Sequence, residues 1–153
     1  MTEFDNTSML PSAEALRRAI RRKEQKEIEA RRHLEEEKAR QLHDLAEDFL
    51  IHHLTEAELA EISRRVAAAV RAEQFEALVY TFPSDLCTDS GRAINNRDAD
   101  WPDSLQGKAR ELYERYVQVA RPAGYRLKAK IISFPDGMPG DVGLYLSWEP
   151  DPV

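Results

Sequence analysis

The 153-residue chain has a single cysteine, Cys87, so neither a disulfide framework nor a thiolate zinc site can form within one copy. No uninterrupted apolar run approaches the roughly 20 residues that a membrane-spanning helix needs, and no membrane partner is expected. Glycine and proline are both missing between Ala13 and His53, so nothing in that stretch breaks a helix. The opening residues MTEFDNTSMLPS have no basic start, apolar core or small-residue cleavage site, which predicts a cytoplasmic protein without a secretion signal. Catalytic signatures are also lacking. There is no GxGxxG after a strand, no GxxxxGK followed by Ser or Thr, no GxSxG and no HExxH. Each of those motifs meets a mechanical need of its chemistry, so the sequence leans away from an enzyme and implies no cofactor.

Charge, by contrast, is abundant. The chain carries 22 Lys and Arg against 28 Asp and Glu, a net of −6. The basic residues are concentrated between Arg17 and Arg40, where ten cations face six anions. Residues 44–153 hold twelve cations and nineteen anions.

Ser12 can cap a helix, and Glu14 then lies in its first turn, where negative charge suits the dipole. The Glu, Arg, Lys, Ala and Leu that follow predict one helix to about His53, roughly 60 Å long at 1.5 Å per residue. On a helical wheel Leu16, Ile20, Leu34, Leu42, Leu45 and Phe49 share one stripe. Lys23, Glu24, Glu27 and Arg31 interrupt it, more thoroughly than a strict heptad seam would allow. Thr55-Glu56-Ala57-Glu58 is a capping box and starts a second helix with Leu59, Ile62, Val66 and Val70 on one face. Residues 77–82 predict a strand stopped by Pro83. Residues 83–103 are polar and turn-rich, without a clear element beyond a short helical turn. Ser104 opens a third helix, weakened by Gly107 and stopped by Pro122 and Gly124. Residues 125–134 and 142–148 then read as a hairpin.

The expected fold class is therefore α+β: a long N-terminal charged helix, with a coiled coil as one use of it, then two helices on a three-stranded, at least partly antiparallel sheet. The expected division is a disordered tail at 1–12, a helical arm at 13–54, a small domain at 55–148 and a tail at 149–153.

Three functional readings follow. The first is a non-enzymatic interaction or assembly module, homodimeric or docked on another protein, with Leu34, Leu42, Leu45 and Phe49 forming the contact or turning back on the domain. The second is a nucleic-acid-binding module using Arg17, Arg18, Arg21, Arg22, Lys26 and Arg32, although interspersed glutamates oppose the field and no aromatics interleave. The third is an enzyme or ligand-binding protein with a site in the 83–103 loop, where Asp85, Cys87, Asp89, Arg92, Asn95 and Asn96 lie close in sequence. Against it stands a structural role for the same residue types as Asx turns, with Leu86, Ile94 and Trp101 tucked into the core. His33, His43, His52 and His53 share the long helix with several carboxylates, but a second set of ligands is lacking and no metal is expected.

Overall fold

The computed structural model describes residues 9–150, which belong to two compact units divided between Leu45 and Ala46. The tails expected at 1–12 and 149–153 lie mostly outside the described residues. Helix α1 (Ala13–Ile51) begins where expected, with Ser12 Oγ accepting from the Ala15 amide at 3.1 Å and Glu14 in the first turn. Arg18 pairs with Glu14 at 3.4 Å and Arg40 with Glu37 at 3.6 Å, the local ion pairs that support an exposed helix. None of its side chains before Phe49 is buried.

The second unit opens with the last residues of α1. Helix α2 (Glu56–Arg71) carries both halves of the capping box: Thr55 Oγ1 accepts from the Glu58 amide at 3.1 Å, and Glu58 accepts from the Thr55 amide at 3.0 Å. Strand β1 (Glu76–Pro83), helix α3 (Arg92–Asn95), helix α4 (Gly107–Arg115), strand β2 (Arg126–Ile131) and strand β3 (Asp141–Ser147) follow. The sheet order is β1-β3-β2, antiparallel throughout, so β3 is central and both other strands are edges.

Strand alternation decides the core. Leu127, Ala129 and Ile131 pair with Leu146, Leu144 and Val142, so these six share a face. A bulge between Leu78 and Tyr80 leaves Val79 without a partner in the register, and Val79 is buried in the core. Helix α2 packs along β1, while Ala109 and Leu112 of α4 enter the same core. The opposite face carries the Arg126, Lys128 and Lys130 row and Tyr145. There Lys130 Nζ lies 4.9 Å from the Tyr145 ring centre, and Lys128 Nζ lies 3.0 Å from Glu76 Oε2 without hydrogen-bond geometry.

Three details depart from the sequence reading. The compact unit starts at Ala46, ahead of Thr55, because Phe49 (3% exposed) and Leu54 are core residues and Phe49 stacks on Phe82 at 5.2 Å. The 83–103 segment holds three helical turns, at Ser84–Leu86, Arg92–Asn95 and Trp101–Ser104. Helix α4 starts at Gly107, because Leu105 and Gln106 are extended. Leu105 is buried, and Gln106 Nε2 donates to the Leu86 carbonyl at 2.9 Å. Gly107 has φ +57°, and a Cβ there would run into the Phe49 carbonyl. Beyond α4 the chain continues as a π-helical turn and a 3-10 turn, ended by Gly124 at φ 99°.

Gly107 is thus required for α4 to approach the end of α1. We expect Gly107→Ala to cost about 1–3 kcal/mol from backbone conformation alone, with the clash against Phe49 adding to it. A lowered urea midpoint at unchanged slope is the expected reading; an unchanged midpoint would refute the close approach.

Candidate functional site: the exposed stripe of the helical arm

The sequence-predicted contact residues separate into two groups. Leu34, Leu42 and Leu45 lie on α1 with Leu16 and Ile20 on the same stripe, all between 48% and 59% exposed. Phe49 is different: it belongs to the core of the second unit and offers nothing to a partner. Ile28, also half exposed, flanks the stripe and went unnoticed in the sequence because it lies off the main row of the wheel. Large apolar side chains recurring along one face of an otherwise charged helix are what a contact surface requires.

The cations Arg17, Arg18, Arg21, Arg22, Lys26 and Arg32 are all exposed. At 100° per residue they spread over about half of the helix circumference rather than forming one narrow track. Arg18 is partnered by Glu14, and Arg21 Nε reaches the Arg17 carbonyl at 3.5 Å.

The loop residues are occupied structurally. Asp89 accepts from the Gly91 and Ala93 amides at 3.0 and 2.9 Å and so starts α3. Cys87 is buried, and burial pushes its thiol up to about 11, with the Asp89 charge adding to the effect. Such a thiol is held protonated, unlike an activated nucleophile. Asp85, Arg92, Asn95 and Asn96 are exposed. Leu86, Ile94 and Trp101 do pack into or against the core.

Sequence reasoning missed one polar constellation, in the second unit. Lys108 is only 4% exposed, and its ammonium contacts Asp48 Oδ2 at 2.8 Å and Glu58 Oε1 at 2.7 Å. Asp48 also meets His52 Nδ1 at 2.9 Å. Nearby, Glu111 accepts from the Leu54 amide at 2.7 Å and meets His53 Nδ1 at 3.0 Å. Burial alone would pull Lys108 down, but the hydrogen bonds to Asp48 and Glu58 outweigh it and hold the ammonium above its ordinary 10.5. The hydrogen bond from Lys108 lowers Asp48; burial opposes the shift at Glu58, where Lys108 and the Thr55 amide prevail. Burial and the Glu58 charge push the Tyr80 hydroxyl up to about 12. A lysine kept charged in this way is a clasp, not a nucleophile. Its partners are 60 and 50 residues away in sequence, so only Gly107 beside it and the capping box carried any local trace.

Among the described residues, no group of three or more His, Cys, Asp and Glu side chains is arranged to hold a metal ion, and no helix is long and apolar enough to cross a membrane. Comparison with family models, characterised proteins and solved structures finds no match.

The clasp predicts a pH profile. Carboxyls with folded-state values below 3.8 and 4.5 contribute stability above those values and lose it as pH falls through the folded ones. An ammonium raised above 10.5 contributes below that pH and loses it as pH climbs through its folded value. We therefore expect Lys108→Met to flatten both the acid limb below about pH 4.5 and the alkaline limb above about pH 10.5 in urea midpoints. Identical limbs in the variant and the parent would show that the clasp carries no stability.

Proposed function

We propose that this chain is a non-enzymatic protein–protein interaction or assembly module whose contact surface is the apolar stripe of its N-terminal helix. The observation that carries the reading is the exposure of Leu16, Ile20, Leu34, Leu42 and Leu45 along one face of a helix whose other faces are charged. A helix with that pattern gains most from a partner that covers the stripe, because burying the exposed half of each leucine is worth about 1 kcal/mol. The second unit is a compact anchor with a core of its own. Its titratable interior groups support the same reading, since Lys108 is held charged and Cys87 protonated, neither poised for covalent chemistry.

Replacing Leu42 and Leu45 with Asp in the full chain tests this directly. The expected result is loss of association, read as mass by light scattering after gel filtration, with the urea midpoint of the second unit unchanged. Association that persists at the same mass in the double variant would contradict the assignment of the stripe.

A further inference from the structure

The proposed interaction leaves the partner unnamed, and the pattern on α1 supplies one. We propose that the stripe is covered by the same stripe of a second copy of this chain, running antiparallel and centred near residue 31. The inference rests on the reading of the helix as the contact element.

The apolar pattern is a palindrome about that centre. Reversing the helix about residue 31 brings Ile20 opposite Leu42 and Ile28 opposite Leu34, and sets Leu16 within one residue of Leu45. All six of these side chains are between 48% and 59% exposed. The gap between Ile20 and Ile28 falls opposite the gap between Leu34 and Leu42, so polar stretches meet polar stretches. Leu34 and Leu45 are eleven residues apart, and Ile20 and Leu42 twice that, the repeat that favours a right-handed rather than a left-handed supercoil.

Charge decides the orientation. Of the residues that interrupt the stripe, Glu24, Glu27 and Arg31 share its face with Glu35 and Lys38, at wheel positions within about 100° of one another, while Lys23 lies at its edge. In an antiparallel pair Glu24 faces Lys38, while Glu27 meets Glu35 and Arg31 meets its own copy, each Arg31 being flanked one turn away by Glu27 and Glu35 of the other copy. A parallel pair in register would set each of these against itself, all like charges, and would lay the two Arg17–Arg32 segments side by side. The flanks agree. Residues 15–30 hold six cations and three anions, and residues 32–47 hold three cations and five anions, so opposite ends attract. Such a two-fold arrangement closes as a dimer.

The test uses the full chain with single introduced cysteines, the buried native Cys87 serving as the background control. Under mild oxidation we expect Arg31→Cys to link to itself, and Leu16→Cys to link only when mixed with Leu45→Cys. Leu16→Cys linking to itself would establish a parallel pair and overturn the orientation. A monomeric mass at every concentration would overturn the second copy as partner while leaving the interaction reading intact for another protein. A dimeric mass unaffected by Leu42→Asp with Leu45→Asp would overturn both, because the contact would lie elsewhere. Charge exchange gives an independent readout. Glu24→Lys should weaken the dimer roughly threefold to tenfold, and adding Lys38→Glu should restore it. Failure of the second change to rescue the first would place the two residues apart and contradict the register.

Discussion

A buried ammonium is stable only where anions reach it, and in the second unit that condition ties three segments together. Lys108 enters from the first turn of α4, Asp48 from the last turns of α1, and Glu58 from the first turn of α2. Glu58 closes the capping box of α2 at the same time, so one carboxylate both starts a helix and holds the clasp. Breaking such an arrangement by removing one partner leaves uncompensated charge in a poorly hydrated place, which is why its geometry is held tightly. Gly107 is the steric counterpart: no other residue tolerates its backbone conformation so close to the Phe49 carbonyl.

That constraint determines where the folded core begins. Phe49 stacks on Phe82, and Leu54 follows into the same cluster, so the last turns of α1 are structural members of the second unit. Leu16, Ile20, Leu34, Leu42 and Leu45 are different, since they stay exposed on one face of the same helix. One continuous helix therefore carries two kinds of apolar residue, those buried in a core and those left exposed. The distinction is energetic, because an exposed leucine has yet to gain the transfer free energy that Phe49 has already gained.

Local chemistry made much of this legible. Ser12 and the Thr55–Glu58 box act through atoms three residues apart, and strand alternation in 126–131 and 142–147 assigns faces without any knowledge of the partners. The α+β class and the long helix followed from those signals. What escaped was nonlocal. The Lys108 clasp joins residues 50 and 60 positions apart, and nothing in GKAR marks the lysine as buried. The helical turns in 83–103 are too short for a periodic signal and are held by Asp89 and by Ser104, whose Oγ donates to the Trp101 carbonyl at 2.7 Å. Phe49 sat on the same wheel stripe as the leucines, and only the structure shows that its neighbour is Phe82. Of the expected contact set, Leu34, Leu42 and Leu45 remain available for a partner.

The central claim is that the arm's stripe is a surface that a second copy covers. Amide hydrogen exchange, followed segment by segment in dilute and in concentrated protein, tests it most directly. The account predicts that protection across residues 16–45 rises with concentration while protection across 46–150 stays constant, because association is governed by mass action and the second unit holds its own core. Protection of 16–45 that is the same at every concentration would contradict it.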